Sequence, residues 1–448
     1  MMRCLLMTLV GALALSLTLT ISFPGVTQSG ASVRVSVTVD GQPGDALIRI
    51  FQQEILFQVE YTDVHTPGIA EFSLPAGEYV LQVEHGAGFT SLPVRKTLLV
   101  EGAVAMAVDV EITSLLDPRQ QGYYAADLHV HTIVSAESTQ RIFGIPNHGS
   151  TPVDQAVGVQ LAADLDVAFI SDHNSVAGHE LFAQTADERG VPYLLSEEIT
   201  TLLWGHYNAY SLSPGQLVEF TFAKLPGQFF AEARQAGAAM IQINHPYSVG
   251  FGYFFTEKQP QFNDQFDAVE VFNGEFGDDD FQTILRLFEF WNEGRRLVAT
   301  AVSDDHFWKK MNNEYGTPRS YVRVNGALSA EAFLAALNKG HAFVTYGPLL
   351  TFSSAEGAGP GDTLQRPAGS PLTLTAQVQS VGPLEGLQAE LVHNGKVVQS
   401  VALSGTRQQV VFEQTVDDSG WYALRLMSSP RRYRALSNPL WIEVNAGS

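Results

Sequence analysis

The feature that most constrains the fold is an alternation of strand-like and helix-like segments over residues 117–350. Val167–Ser171 is a continuous apolar run, typical of a strand buried on both faces of a parallel sheet. Similar runs recur at Ala239–Ile243, Ala268–Phe272 and Leu297–Val302. Because helix-like segments lie between these runs, the sequence predicts an α/β barrel or a doubly wound sheet.

The helix-like segments carry recognisable start and stop residues. Pro152–Leu165 follows Thr151, a candidate N-cap, and has a proline in its first turn. Ala330–Lys339 follows Ser329, a second candidate N-cap, and precedes Gly340, which ends it. Two further helices are predicted at Phe229–Ala236 and Phe281–Glu293. These positions fit helices that cross from one strand to the next.

The regions on either side of this alternation have a different pattern. Residues 32–116 and 351–448 contain short alternating strands separated by glycine and proline turns, as in Phe72–Val83 and Leu372–Ser380. Each region is predicted to form a β-sandwich module. The predicted organisation is therefore a sandwich at 32–116, a barrel at 117–350 and a second sandwich at 351–448.

The N-terminus has the features of an export signal. Met1–Arg3 is a short basic start, an apolar run covers residues 4–23, and Ser29–Ala31 offers small residues for cleavage. The alternative is an uncleaved membrane anchor, because the apolar run is long enough to span a bilayer. Residues 1–31 are therefore predicted to direct the protein to the periplasm, the medium or the cell surface.

Charge and cysteine content exclude several classes of partner and ligand. With 47 acidic and 26 basic residues, the formal net charge is −21. Such a surface repels phosphate backbones and anionic membranes, so neither nucleic acid nor a membrane beyond the N-terminal anchor is expected. The one cysteine, Cys4, belongs to the predicted export signal. A metal in the mature protein must therefore bind imidazoles and carboxylates.

Polar side chains cluster at the ends of the predicted strands. Eight of the 12 histidines lie between residues 129 and 306. His129 and His131 alternate in what we expect to be an extended strand, so both imidazoles point to one face. Such a pair is weak evidence by itself. Further groups follow successive strands: Asp172–Asn174, Glu197–Glu198, Gly205–His206, Asn244–Pro246 and Ser303–His306.

These groups predict a metal centre, because active sites of α/β barrels lie at the carboxyl ends of the strands. Glu198 and Asp304 are joined by six histidines: His129, His131, His173, His206, His245 and His306. This set exceeds what one ion takes, so two or three ions bridged by a carboxylate are expected. Nitrogen and oxygen ligands suit Zn, Mn or Fe. Such a centre activates water for ester hydrolysis.

The series of motifs resembles the PHP (polymerase and histidinol phosphatase) superfamily of metal-dependent hydrolases. Within it, the chain is most similar to the CehA/McbA-type branch, whose name-giving member is a carbaryl esterase. The motifs that carry the resemblance are Asp127–Thr132, Ser171–Asn174, Glu197–Thr200, Gly205–His206, Asn244–Pro246, Ser303–His306 and Gly340–Pro348. The resemblance covers about residues 120–350, extends loosely into the C-terminal module, and does not include the N-terminal module.

The resemblance implies a distorted barrel of about seven strands with a di- or trinuclear site. One ion's ligands then correspond to His129, His131, Glu198 and Asp304, with Glu198 as the bridge. The ligands of a second ion correspond to His206 and His245. The ligands of a third or shared position correspond to His173 and His306. The preference for Glu198 over Glu197 depends only on its place before Ile199–Thr200.

The chain also departs from the family pattern at one position. Several members have a further histidine after the first pair, where this chain has Glu137. Either Glu137 replaces that ligand, or the third metal position is weak or empty. Asp172 corresponds to a residue beside the ions and is a catalytic candidate.

Three further elements are candidates for substrate handling. Arg319 is a candidate for binding an anionic group such as phosphate, with a surface arginine as the alternative. His148 is a candidate proton donor to the leaving group, with a loop histidine without a role as the alternative. Phe251–Phe255 is expected to line the pocket and favour an apolar or aryl group, unless it packs on a neighbouring module.

Together these features predict an exported metal-dependent hydrolase that acts on a small-molecule phosphoester or on a carboxyl or carbamate ester. The alternative from another class is a cell-surface binding protein with a structural metal in a PHP-like barrel. Structural metal sites are usually closed and mononuclear, so the large ligand set favours the enzyme. The substrate, the identity and number of the ions and the oligomeric state stay open.

Overall fold

The computed structural model describes residues 30–310 and 315–445. The predicted export signal or anchor therefore lies outside the described residues, apart from its last two positions. Of these, Ala31 is buried and is the first residue of a strand, where it pairs with Leu74. Within the described part of the chain, no helix is long and apolar enough to cross a membrane.

The N-terminal region forms two four-stranded sheets. Its strands are β1 (Ala31–Val39), β2 (Gln42–Pro43), β3 (Leu47–Gln52), β4 (Ile55–Tyr61), β5 (Ile69–Leu74), β6 (Gly77–Glu84), β7 (Val94–Val100) and β8 (Met106–Ile112). One sheet has the order β2-β1-β5 with β8 beside β1, and the other has β4-β3-β6-β7. Alternate apolar residues from both sheets share one core, as the period-2 pattern requires.

The central region alternates strands and helices, and it is mixed α/β. Its strands are β9 (Tyr123–Ala126), β10 (Ala168–His173), β11 (Tyr193–Thr200), β12 (His206–Tyr210), β13 (Met240–Asn244), β14 (Ala268–Asn273), β15 (Val298–Val302), β16 (Arg319–Arg323) and β17 (Ala342–Thr345). Its helices are α1 (Ile133–Phe143), α2 (Gln155–Ala162), α3 (His179–Arg189), α4 (Pro226–Gln235), α5 (Asp278–Asn292) and α6 (Ala330–Asn338).

Six of these strands form one sheet in the order β10-β11-β12-β13-β14-β15. The outer pairs are parallel, but β12 runs antiparallel to both of its neighbours. The strands β9, β16 and β17 pair with each other and belong to another sheet. The described strands therefore make an open mixed sheet, and the seven-stranded barrel expected from the family resemblance is not seen as one continuous ladder.

Six of the nine C-terminal strands continue the sheet that contains β9, β16 and β17, whereas β18, β20 and β23 form a separate three-stranded sheet. They are β18 (Leu349–Ser354), β19 (Thr363–Pro367), β20 (Ser370–Gln379), β21 (Gln388–His393), β22 (Lys396–Ala402), β23 (Arg407–Val416), β24 (Gly420–Ser429), β25 (Arg432–Ser437) and β26 (Leu440–Asn445). Phe343 of β17 pairs with Ser437 of β25, which makes a nine-stranded sheet. Strand pairing thus crosses residue 350, and the domain bounds stay a prediction.

Two local expectations differ from the structure. The segment with His129 and His131 follows a strand instead of opening one, because β9 ends at Ala126. Asp127 fixes this segment by accepting hydrogen bonds from the backbone N–H groups of Ser303 (2.9 Å) and Gly316 (2.8 Å). The helix expected over residues 152–165 is the shorter α2, which begins after Asp154 and not after Thr151.

Candidate metal centre

Strand register brings the predicted ligands to one edge of the six-stranded sheet. His173, the last residue of β10, pairs with Glu198 of β11. Because β12 is antiparallel, its first residue, His206, pairs with Thr200 near the end of β11 and with Asn244 at the end of β13. The reversal of β12 therefore places a residue from the start of a strand among residues from strand ends.

Glu198 lies at the centre of the cluster and is fully buried. Its carboxylate oxygens contact five imidazoles, at 3.4 Å from His129 Nε2, 3.7 Å from His131 Nε2, 3.1 Å from His206 Nδ1 and 3.4 Å from His245 Nε2, with His173 Nδ1 also in contact. The side-chain amide of Asn244 donates a hydrogen bond to the same carboxylate at 3.0 Å. This is the position expected of a bridging ligand.

The neighbouring Glu197 has a different environment, although it is equally buried. Successive side chains of a strand point to opposite faces, so Glu197 points away from the histidines. Its carboxylate accepts a hydrogen bond from the backbone N–H of Val218 at 2.7 Å. Burial raises the pKa of Glu197 to about 8. Of the two glutamates, Glu198 is therefore the one that faces the histidines.

The distances between imidazole nitrogens fit bound cations. His129 Nε2 and His131 Nε2 are 2.9 Å apart, and His173 Nε2 and His306 Nε2 are 3.2 Å apart. Two lone pairs at such distances need a proton or a cation near them. His206 Nε2 is buried and has no hydrogen-bond partner in the described part of the chain. Imidazole nitrogens and carboxylate oxygens together suit divalent ions.

In His129 and His131, hydrogen bonds made by Nδ1 place the ring proton on Nδ1. The unprotonated Nε2 then faces the cluster. His129 Nδ1 donates to Glu270 Oε1 at 2.8 Å. His131 Nδ1 donates to Ser135 Oγ at 2.8 Å, because the hydroxyl hydrogen of Ser135 goes to Asp172 at 2.7 Å. Such partners orient metal-binding histidines and leave the lone pair of Nε2 for the ion.

The electrostatic balance of the cluster follows from its mixed charges. Burial would raise the pKa of Glu198, but the imidazoles of His173 and His129 outweigh it and hold that pKa well below its usual range. Burial, with His173 nearby, lowers the pKa of His131 to about 3. Burial and His131 also hold the pKa of His306 well below its usual range. These two imidazoles are therefore neutral near pH 7, as metal ligands must be.

Glu270 is a functional residue that the sequence interpretation missed. It is buried in β14 and, besides His129, accepts a hydrogen bond from the backbone N–H of His245 at 2.7 Å and from the side chain of Gln242 at 2.7 Å. It thus supports two candidate ligands at once. The available signal was a single acidic residue inside the apolar run Ala268–Phe272.

Asp172 does not line the cavity beside the ions, so its assignment as a catalytic residue is not supported. Both carboxylate oxygens are used within the protein: they accept hydrogen bonds from Thr132 N, Thr132 Oγ1 and Ser135 Oγ, each at 2.7 Å. Asp172 precedes His173 in β10 and therefore points to the opposite face of the strand. Its role is to position Ser135, and through it His131.

The cluster opens into a cavity of about 480 Å³. His148 lines this cavity, and its ring lies 4.2 Å from that of His306 and 5.0 Å from that of His173, measured between centroids. Glu137, considered as a substitute ligand, is exposed on α1 and does not line the cavity. Of the two, His148 is the residue that lies beside His173 and His306.

Arg319 does not line the cavity and is not a surface arginine, and its role in binding an anionic group stays a prediction. It is fully buried, and its guanidinium lies over the ring of Phe89 at 3.8 Å. Its Nε donates a hydrogen bond to the carbonyl oxygen of Gly316 at 2.7 Å. Arg319 thus packs against the N-terminal region.

The aromatic run after His245 divides between the cavity and the core. Phe251 lines the cavity, with its ring centroid 5.4 Å from that of His206. Tyr253 and Phe254 are buried in the main apolar core, and Phe255 is exposed. Phe251 therefore lies where an aromatic wall is expected, whereas Tyr253 and Phe254 pack on rings of the central region itself, such as Tyr207 and Phe290.

The fold and the site define a class: a mixed α/β protein with a buried, carboxylate-centred cluster of side chains that could hold a divalent metal. No family model and no curated protein matches the sequence. One similar solved structure is a two-domain protein from Bacteroides vulgatus, described as containing a predicted PHP-like metal-dependent phosphoesterase. It has 15% identity and a TM-score of 0.42, over 71% of this chain and 95% of that one.

Two further solved structures align with smaller parts of the chain. A candidate metal-dependent phosphoesterase from Bifidobacterium adolescentis has 15% identity and a TM-score of 0.32, over 47% of this chain and 94% of that one. An amidohydrolase from Chromobacterium violaceum, with bound sulfate and no metal, has 16% identity and a TM-score of 0.29, over 42% and 89%. At such identities and scores, the functional argument depends on the site itself.

Proposed function

We propose that this chain is an exported metal-dependent hydrolase of the PHP type that acts on a phosphoester or on a carboxyl or carbamate ester. The observation that carries the proposal is the contact of five imidazoles with the buried carboxylate of Glu198, beside an open cavity. A carboxylate with so many ligands around it is placed to bridge ions. The sequence motifs support the same class.

Three overlapping groups of side chains would hold two or three divalent ions. Within each group, the ligand atoms all lie within 4.8 Å of one another. The groups are His129, His131 and Asp304; His173, Glu198 and His206; and His131, His173 and His306. His245 adjoins the second group through its contact with Glu198. The donor atoms suit Zn, Mn or Fe.

Divalent ions in this site would supply Lewis acidity, which activates water near neutral pH and stabilises negative charge on an ester. The protein's own residues position that chemistry. Glu270 and Ser135 fix the rings of His129 and His131. His148 stands at the edge of the cavity, where an imidazole can give a proton to the leaving group.

The lining of the cavity supports a small-molecule substrate with an apolar group. Phe143, Ile145, Leu202 and Phe251 form much of the wall. None of the described residues that line it is a lysine or an arginine, so the charge of a phosphate group would be met by the ions and imidazoles. We do not expect nucleic acid as a partner, because the net charge of −21 repels its backbone.

The alternative is a cell-surface binding protein in which the metal has a structural role. Structural sites are usually closed, with every coordination position filled by the protein. Here the candidate ligands His173, His206, His245, Asp304 and His306 all line the cavity. This access from the cavity favours the enzyme, because a substrate and a water molecule must both reach the ions.

The proposed function is tested by elemental analysis of the purified protein together with an ester panel. The panel contains phosphate monoesters, phosphate diesters, carboxyl esters and carbamates, assayed with added Mn or Zn. We expect two or three ions per chain and turnover of at least one ester class. A stably folded protein that binds ions but turns over no ester would favour the binding-protein alternative.

The His131→Ala variant tests the site within the same experiment. We expect it to lose both bound metal and activity, because His131 belongs to two of the three ligand groups. His65→Ala is the matched control, since His65 is exposed and lies in the N-terminal region. Activity retained in His131→Ala at unchanged metal content would contradict the assignment.

Export and cellular location form a separate part of the proposal. The basic start, the apolar run and the small residues at 29–31 support a cleaved signal. Cell fractionation and N-terminal sequencing of the full-length chain would test it. A cytoplasmic product that keeps Met1 would contradict export, whereas a membrane-bound product that keeps it would indicate the anchor.

A further inference from the structure

We propose that the apolar wall of the cavity binds a hydrocarbon chain of the substrate, so that the preferred esters carry an alkyl or acyl chain. This inference rests on the proposed function and names its substrate class. It depends on a continuous apolar surface that begins at the imidazole cluster and continues to the outside of the protein.

The inner part of this surface lies beside the metal ligands. Phe251 contacts the ring of His206, with centroids 5.4 Å apart, and Leu202 lines the same cavity. Phe143 and Ile145, at the end of α1, line it as well. An ester group held at the ions therefore has apolar side chains directly beside it.

The outer part of the surface is formed by two phenylalanines that follow β12. The ring of Phe143 packs against Phe220, with centroids 5.4 Å apart, and against Phe222 at 6.4 Å. Phe220 and Phe222 also pack on each other at 5.0 Å. Phe222 is 68% exposed and Leu202 is 52% exposed. Large apolar side chains that are exposed next to a cavity mark a binding surface.

The observations favour a hydrocarbon chain over a second protein copy as the occupant. With a net charge of −21, two copies of this chain repel each other. The apolar surface is also continuous with the cavity through Phe143, which a chain attached to the reacting ester would follow. We call the surface of Phe143, Ile145, Leu202, Phe220, Phe222 and Phe251 the apolar groove.

The reaction with such a substrate is ordinary hydrolysis. For an acyl ester, the bond between the acyl carbon and the alcohol oxygen breaks, and a new bond forms from the acyl carbon to the oxygen of water. One proton of the water goes to the alcohol, and the other is released from the carboxylic acid. No oxidant or reductant is needed. In this arrangement the apolar groove holds the hydrocarbon chain while the ester lies at the ligands.

The test is a chain-length series below the critical micelle concentration, with the metal-loaded protein. The acyl series is 4-nitrophenyl acetate, hexanoate and decanoate, and the phosphodiester series is methyl, hexyl and decyl 4-nitrophenyl phosphate. We expect kcat/KM to rise by about two- to fourfold for each methylene that becomes buried. The free decanoate anion should also bind more tightly than the free acetate anion. Calorimetry measures this binding, and it does not need turnover.

Two variants assign this effect to the apolar groove. Phe222→Ser and Leu202→Ser should flatten the chain-length dependence, which is measured within each variant as the ratio of kcat/KM for the long ester to kcat/KM for the short ester. Phe57→Ser is the matched control, because Phe57 is 45% exposed but lies in β4 of the N-terminal region. These exposed positions tolerate a smaller side chain without loss of folding.

Each outcome has a defined meaning. Equal kcat/KM and equal binding for short and long chains would overturn the inference, as would a dependence that Phe222→Ser and Leu202→Ser leave intact. Self-association through this surface, measured by sedimentation and abolished by Phe222→Ser, would also overturn it. A third outcome is that no ester is turned over, but the decanoate anion still binds to the unmodified chain and binds less tightly to Phe222→Ser. The proposed function would then be wrong, and the assignment of the apolar groove as a binding site for a hydrocarbon chain would be kept.

Discussion

Two polar clusters in this molecule, one partly buried and one around the fully buried Glu198, differ in how their charges are balanced. At the junction of the N-terminal and central regions, Arg119 forms ion pairs with Asp164 and Asp166. His85 lies 3.4 Å from Asp164, and the hydroxyl of Thr90 donates to it at 2.7 Å. The charges at this junction therefore have partners of opposite sign within the protein itself.

The cluster around Glu198 is organised in another way. Its imidazole nitrogens face one another at 2.9 and 3.2 Å, and its carboxylates point to the same space. Divalent ions bound there would satisfy these groups, and their binding would then be coupled to stability. The comparison shows that paired charges alone do not mark a candidate site. What distinguishes the cluster around Glu198 is a set of imidazole and carboxylate ligand atoms that converge on one another beside a cavity.

The largest expected effect comes from removing the central carboxylate. Loss of a residue that only supports a metal ligand typically lowers activity by about 10- to 100-fold. In Glu198→Gln, we expect a larger loss of activity than this, and we expect the bound ions to fall below two per chain. Elemental analysis and steady-state kinetics measure both. Glu197→Gln is the matched control and should keep its ions, because Glu197 points away. A full complement of ions in Glu198→Gln would contradict the proposal that Glu198 bridges them.

The next largest expected effect comes from changing Glu270, the carboxylate that orients the candidate ligand His129. Glu270→Gln should weaken metal affinity by about 10- to 100-fold, because the carboxylate orients His129 and makes its ring a better ligand. A competition titration with a chelator measures this affinity. Glu275→Gln changes an exposed carboxylate a few residues later and should have no effect. If both variants bind metal equally well, Glu270 has only a structural role.

At the junction, the expected effect is on stability and not on metal binding. Asp164→Asn removes the charged partner of His85 and one of the two carboxylates that pair with Arg119, and it should lower the free energy of unfolding by about 2 kcal/mol. Glu71→Gln breaks the exposed pair with Arg34 and should cost at most about 1 kcal/mol. Urea unfolding measures both variants. Loss of bound ions in Asp164→Asn would contradict the separation of the two clusters.

The pH dependence of the junction follows from two opposite pKa shifts. Burial would raise the pKa of Asp164, but His85 and Arg119 outweigh it and lower that pKa. The stabilisation from Asp164 is therefore present above the unfolded pKa of about 3.9 and is lost as the pH falls through the lower folded value. Burial would lower the pKa of His85, but Asp164 outweighs it and raises that pKa.

The contribution of His85 is accordingly complete below its unfolded pKa of about 6.5 and is lost as the pH rises through the higher folded value. The difference in unfolding free energy between the unmodified chain and Asp164→Asn should thus be largest between these two limits. Urea unfolding across the pH range measures it. A difference that does not change with pH would show that the junction is held by packing alone.

The smallest expected effect on catalysis is that of Arg319→Met. Because Arg319 is buried under Phe89 and away from the cavity, we expect the ratio of kcat/KM values for phosphoesters and neutral esters to change by less than about twofold. The same two substrates measured on both proteins give this ratio. A selective loss of phosphoester turnover would indicate that Arg319 does contribute to binding the phosphoester.

The location of the candidate site was predictable because it follows from a general property of sheets. Polar residues that end successive strands meet at one edge, and this rule found Glu198, Asp304 and the six histidines. The same rule failed for Asp172, since it does not tell which of two neighbouring residues faces the cluster. It also missed Glu270, which lies inside a strand and 141 residues from His129.

The sequence by itself determined the chemistry of the ligands and the alternation of strands and helices. The absence of cysteine after Cys4 restricts a metal to nitrogen and oxygen donors, and apolar periodicity is a local property of the chain. Tertiary structure decided that β12 is reversed, that Glu198 and not Glu197 faces the histidines, and that His148 lies beside His173 and His306. These outcomes depend on strand register and on packing between distant segments, which local sequence patterns do not specify.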